Sequence, residues 1–208
     1  MEILFFILIL IFSIVIHEFS HGAVANLLGD PTAKIAGRLT LNPIKHLDPI
    51  GSIVVPVLLI LTTGTGIGWA KPVPINPFNF RDQKYGSLKV ALAGPASNLM
   101  VALILGLILR VCLFFELFSP VLYSAFSFII FINILLAIFN LIPIPPLDGS
   151  HVLFTFLPDS MQKTKIFFSQ FGFFILIFLI FFFPPLFRII IYLIEGIFTL
   201  LVGTSPLL

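Results

Sequence analysis

The sequence predicts an all-α polytopic membrane protein with five to six transmembrane helices and a re-entrant or β-hairpin segment among them. Three observations carry this. The 208 residues are 59% hydrophobic and 10% charged, with a mean hydropathy of +1.19, whereas ordinary soluble domains carry about 25% charged residues. Apolar stretches recur along the whole chain, each long enough for a hydrocarbon layer about 30 Å thick. The connections between them are short and hold most of the charges. One integral membrane domain is expected over 1–208, with a core at about 3–157 and a C-terminal helical pair at about 166–203.

The first candidate span, Ile3 to Leu28, opens with a run from Ile3 to Ile16 that resembles a signal-peptide apolar region. It has no basic segment before it, and His17 and Glu18 follow without a small-residue cleavage site, so it is expected to be retained. Ala33 to Leu41 alternates in the manner of a strand, and Gly68 to Pro77 (GWAKPVPINP) holds too much proline for a helix interior; both read as extended segments or hairpins. Ile50 to Gly68 is apolar but interrupted by Pro56 and by glycines at 64, 66 and 68. The remaining candidate spans are Ser87 to Phe115, Val121 to Asn140, Ile166 to Phe183 and Leu186 to Val202. Trp69 and Tyr85 suit the membrane interface, where amphipathic rings settle. The phenylalanines of 167–187 are the ordinary composition of a lipid-facing span.

Charge and cysteine content exclude several classes. A net charge of +2 with no basic run argues against a nucleic-acid partner. Cys112 is the single cysteine, so the chain forms neither an internal disulfide nor a cysteine metal cluster.

The chemistry concentrates in His17-Glu18-Phe19-Ser20-His21. Imidazoles four residues apart lie one turn apart on one helix face, where they can share a metal ion. The chain has four histidines. Two of them, with a glutamate between, fall inside an apolar helix, where ionisable groups cost several kcal/mol and mark function. In a zinc-protease mechanism Glu18 takes a proton from water while the metal polarises the scissile carbonyl. Catalytic zinc takes three protein ligands, so a third must come from elsewhere. Asp148 stands out in Asn140 to Gly149 (NLIPIPPLDG), where a span breaks at prolines and presents a carboxylate; Asp48, Asp82 and Asp159 lie in polar loops. Asp148 also suits an Asp-Gly turn. Asn140 suits either an interfacial side chain or an amide that binds substrate backbone or a developing oxyanion. His46 and His151 read as a loop residue and a turn neighbour.

HEFSH at 17–21 and NLIPIPPLDG at 140–149 resemble the site-2 protease family of intramembrane metalloproteases. AGPASN at 93–98 resembles that family's A-G-P-x-x-N helix opening, and GWAKPVPINP its glycine-proline loop beside the active site. The match covers Ile11 to about Val152. The resemblance implies one zinc ion per chain held by His17, His21 and Asp148, with Glu18 as catalytic base. It implies substrate-binding or oxyanion support from Asn140, and Asn98 behind the ligands. The implied activity is hydrolysis of peptide bonds in or near transmembrane segments of other membrane proteins. Neither a PDZ insert nor an appended regulatory module is expected from these residues.

Sharing one ion also constrains topology. His17 lies about 21 Å into the first helix at 1.5 Å per residue, so a full crossing by Ile50 to Gly68 would part it from Asp148. A re-entrant path there brings both to one side. Lys34, Arg38, Lys45, Lys71, Arg81, Lys84, Lys89, Lys163 and Lys165 then share that side, opposite the turn Glu116 to Pro120. The positive-inside rule makes it cytoplasmic. The expectation is five full spans with the N-terminus outside, the C-terminus inside and the site in the cytoplasmic half of a prokaryotic cell membrane. Thr62, Thr63, Thr65, Asn98 and Asn140 are candidates to line a water path to it. A metal transporter would need further ionisable residues along a membrane path, and no second intramembrane cluster appears. A non-catalytic scaffold has no use for Glu18.

Overall fold

The computed structural model describes residues 2–48, 51, 71–117 and 119–204. Seven α-helices lie among them: α1 (Glu2–Leu27), α2 (Thr32–Ile35), α3 (Gly86–Phe114), α4 (Pro120–Asn140), α5 (Gly149–Phe156), α6 (Gln162–Phe182) and α7 (Pro184–Val202). Five of them, α1, α3, α4, α6 and α7, are long and apolar enough to cross a membrane, and the chain is an integral membrane protein. The expected re-entrant stretch, with Thr62, Thr63, Thr65 and Trp69, falls outside the described residues.

Local chemistry sets the ends. α1 stops at Gly29, whose φ of +108° favours glycine. α4 opens with Pro120 at its first turn and Ser119 Oγ accepting from Leu122 N, and α7 opens on Pro184. One expectation fails here. Residues 33–41 do not form a strand: Asp30 Oδ1 accepts from Thr32 N at 3.2 Å, and Ile35 N and Ala36 N close onto Pro31 O and Thr32 O. The aspartate satisfies the first turn and makes local helix the cheaper way to pair these amides. Residues 71–76 are extended, as their prolines require, but no strand ladder is assigned among the described residues.

α1 and α3 run antiparallel. Asn98 Nδ2 meets Ser13 O, while His21 Nδ1, two turns further along α1, meets Val90 O, two turns earlier in α3. Residues 28 and 85 therefore lie at the same end, with no net crossing between them. α4 packs against both. α7 runs antiparallel to α4, burying Ile194, Phe198 and Val202 against Leu109, Tyr123, Ile130 and Ile134. Tyr123 Oη lies 2.9 Å from Thr204 Oγ1, and Arg110 Nη1 donates to Leu200 O at 3.0 Å.

The last contacts correct a second expectation. The C-terminal end of α7 lies beside the 115–119 turn, not at the end that carries Asp148. α7 is about 28 Å long at 1.5 Å per residue, so Pro184 lies toward the Asp148 end. α6 reaches it through Phe183 alone. The first turn of α6 also lies there, because Lys165 lines a cavity with Lys84 and Ser87 at the start of α3. A Cβ at Gly172 would come within 2.6–2.9 Å of Pro145, so α6 rests against the loop that leads to Asp148.

Candidate metal centre

His17 and His21 project from the same face of α1, their ring centroids 4.7 Å apart, as a four-residue spacing dictates. Both are buried, at 6% exposure each. Asp148 stands at the start of α5, after the proline-broken segment that follows α4. Its Oδ2 lies 3.0 Å from His17 Nε2 and 3.2 Å from His21 Nε2. One ligand-capable atom from each of the three residues falls within 4.8 Å of the others.

The hydrogen bonds on the far sides of the rings decide what those facing atoms are. His21 Nδ1 lies 2.7 Å from Val90 O, a carbonyl that only accepts, so Nδ1 carries the hydrogen. His17 Nδ1 lies 2.6 Å from Asn98 Oδ1 and carries its hydrogen likewise. In the neutral rings both Nε2 lone pairs then face a carboxylate oxygen. Three acceptors converge with no donor among them, which calls for a cation at their meeting point.

Space and electrostatics agree. Gly94 of α3 faces both imidazoles: a Cβ there would lie 2.5 Å from His17 Nε2 and closer still to His21 Nε2. The missing side chain leaves room in front of the two ring nitrogens. Two nitrogens and one oxygen form a catalytic zinc set, and ligands about 2.0–2.1 Å from a tetrahedral ion stand roughly 3.3 Å apart, near the spacings found. The negative charge of Asp148 beside the two nitrogen lone pairs adds to the attraction for a cation.

Glu18 is half-buried beside the histidines, and Val73 N donates to its Oε2 at 2.8 Å. Val73 lies between Pro72 and Pro74, which have no N–H of their own. The extended segment is also tied at Asn76 N, which donates to Asp30 Oδ2 at 2.7 Å. Asp30 is fully buried.

The other sequence candidates fall in different places. Asn98 is buried directly behind His17. Asn140 ends α4 and donates Nδ2 to Leu136 O at 2.8 Å, in its own helix. His46 is buried away from the cluster with Nε2 on Thr40 O, and His151 is exposed on α5. Sequence reasoning missed Ser13, Asn133 and Gly94 as parts of the site. Ser13 and Asn133 were detectable as isolated polar residues in apolar spans.

Comparisons with known proteins identify the family. The model of peptidase family M50 matches residues 116–181. The chain is 39% identical over 188 residues to the putative zinc metalloprotease YwhC of Bacillus subtilis, covering 88% of this chain and 81% of that protein. Rip2 of Mycolicibacterium smegmatis, described in the same terms, is 34% identical over 169 residues, which are 81% of this chain and 63% of Rip2. Rip2 of Mycobacterium tuberculosis is 32% identical over 151 residues, 73% of this chain and 56% of that protein. The chain thus spans less than two thirds of either Rip2. No solved structure matches it significantly. The chain belongs to peptidase family M50 and is a membrane-embedded zinc metalloendopeptidase of the site-2 protease type.

Proposed function

We propose that the protein cleaves peptide bonds in or near transmembrane segments of other membrane proteins, with His17, His21 and Asp148 holding one zinc ion and Glu18 acting as general base. The observation that carries this reading is the convergence of two buried imidazoles and a partly buried carboxylate within 4.8 Å, next to Glu18 and among apolar helices. Bound zinc supplies Lewis-acid polarisation of the scissile carbonyl and lowers the pKa of water to near 7.

The remaining work falls to the chain. Glu18, held by the Val73 amide, takes the proton of the attacking water and returns it to the leaving amine, a role worth about 10²–10⁴ in rate. Asn98 and Val90 O fix the two imidazoles. Asn140 spends one amide hydrogen on Leu136 O and would offer its Oδ1 and second hydrogen to substrate backbone. The extended segment 71–76 lies beside Glu18, where an unwound substrate could align. Cations at 34, 38, 45, 71, 81, 84, 89, 163 and 165 flank the Asp148 end, which supports a site in the cytoplasmic half of a cell membrane.

The test combines metal content with cleavage. Purified wild type should hold about one zinc per chain, and Glu18→Gln should keep it while losing cleavage of a membrane-spanning peptide in detergent. His17→Ala and Asp148→Ala, shown to be folded, should lose the zinc. Full zinc in Asp148→Ala would move the third ligand elsewhere, and cleavage of soluble peptides alone would refute the membrane-segment substrate.

A further inference from the structure

Behind His17 the membrane interior holds a chain of polar side chains that no catalytic step uses. Asn98 Oδ1 meets His17 Nδ1 at 2.6 Å. Asn98 Nδ2 donates to Ser13 O at 3.1 Å and to Asn133 Oδ1 at 2.7 Å. Asn133 Nδ2 donates to Ser13 Oγ at 3.0 Å and to Ile129 O at 2.8 Å. Asn98 and Asn133 are fully buried and Ser13 nearly so. The three residues come from α3, α4 and α1, so the chain of bonds ties together the helices that build the site.

This network has a direction, and the backbone sets it. An amide side chain can point either way until a partner that can only accept decides. Ile129 O and Ser13 O are backbone carbonyls, so each must face an amide nitrogen. Ile129 O turns the Asn133 nitrogen toward itself and thereby aims Asn133 Oδ1 at Asn98. Ser13 O and Asn133 Oδ1 together hold the Asn98 nitrogen, which leaves Asn98 Oδ1 facing His17. An acceptor there demands a hydrogen on Nδ1 and leaves the lone pair on Nε2.

We infer that Asn133, with Ser13, is a positioning residue that sets the tautomer of His17 through Asn98, so that Nε2 is presented to the metal. This rests on the reading of His17 as a zinc ligand. Buried polar residues in a span are costly unless satisfied, and a partner behind a ligating histidine typically contributes 10- to 100-fold in metal affinity. His21 provides an internal control, because its ring is set by Val90 O and owes nothing to Asn133.

The test uses full-length, metal-free protein in detergent with ¹⁵N-labelled histidine, the His17 signals being identified by their loss in His17→Gln. Wild type should show neutral His17 in the Nδ1–H form alone. Asn133→Leu, which removes the amide and keeps the bulk, should give a mixture of tautomers at His17 and leave His21 unchanged. Zinc affinity measured by chelator competition should fall about 10- to 100-fold. If Asn133→Leu does not fold, Asn133→Thr serves: its hydroxyl can bond Ile129 O as threonines in membrane helices do, while the oxygen that Asn98 meets is gone. A folded variant with the wild-type His17 tautomer and wild-type zinc affinity overturns the inference. The tautomer readout needs no metal, so absence of zinc from wild type would refute the functional reading and leave this result standing.

Discussion

The Cβ that Gly94 lacks would lie 2.5 Å from His17 Nε2 and 2.6 Å from His17 Cε1. The next residue, Pro95, sits inside α3 and cannot donate to Ala91 O, which loosens the preceding turn. In that turn Val90 O accepts from His21 Nδ1. Gly94 therefore opens the space in front of the imidazoles, one turn along α3 from the carbonyl that holds His21.

Gly94→Ala should abolish zinc binding without removing any ligand. Alanine gains about 0.5–1 kcal/mol over glycine in a helix interior, but its methyl collides with two pinned rings, an overpacking cost of about 1–3 kcal/mol, so the metal-free variant should be modestly less stable than metal-free wild type while still folding. The methyl would displace the rings or fill the ion's place, and zinc per chain by elemental analysis should fall toward zero. Wild-type zinc content in Gly94→Ala would show that the metal lies elsewhere.

Val73→Pro should separate catalysis from metal binding. It removes the N–H that holds Glu18 Oε2, and bonds to charged groups are worth about 1.5–3 kcal/mol. Cleavage should drop roughly 10- to 100-fold, with zinc content unchanged. Val73→Ala keeps the donor and should stay within about threefold of wild type. Equal rates in the two variants would remove the Val73 amide from the mechanism.

Asp30 should make the protein sensitive to acid. Burial raises its carboxyl, but bonds from Thr32, Asn76 and Asn79 outweigh this and hold it below the ordinary 3.8. A lowered folded pKa stabilises the fold above the unfolded value, and that contribution is lost as pH falls through the folded one. Asp30→Asn should cost about 2 kcal/mol at neutral pH, and the gap to wild type should narrow below pH 3.8. A gap that does not change with pH would show that the charge of Asp30 does not matter.

The long helices were legible because hydrocarbon demands apolar runs of fixed length, and prolines and Ser119 mark where several begin. His17, Glu18, His21 and Asp148 stood out because ionisable groups are costly in that setting. Residues 33–41 misled because a period of two was read without the aspartate three residues upstream, whose carboxylate satisfies the first helical turn. Asn133 and Ser13 went unassigned because one polar residue in a span has no spacing partner, and their meaning lies in which helices meet. The direction of α7 was missed because crossing counts assume that every sufficiently long helix crosses. The contacts of Tyr123 and Arg110 settle its C-terminal end.

Gly172→Leu should show how firmly α6 is attached. Gly172 and Leu176 are the buried residues of α6, and a side chain at 172 collides with Pro145 O, Cβ and Cδ. Either α6 or the loop from Leu141 to Asp148 must give way. The loop is held by Ile142 N on Phe139 O, Ile144 N on Ile142 O and Leu147 N on Ile144 O, whereas α6 buries little. α6 should therefore swing off, leaving zinc affinity within about threefold of wild type by the reasoning that an undisturbed Asp148 keeps its place. The connection at 157–161 should then be nicked faster in limited proteolysis, since released segments expose cleavable backbone. A large fall in zinc affinity with unchanged proteolysis would mean that the loop yields first, and that α6 acts as the rigid support on which Asp148 is placed.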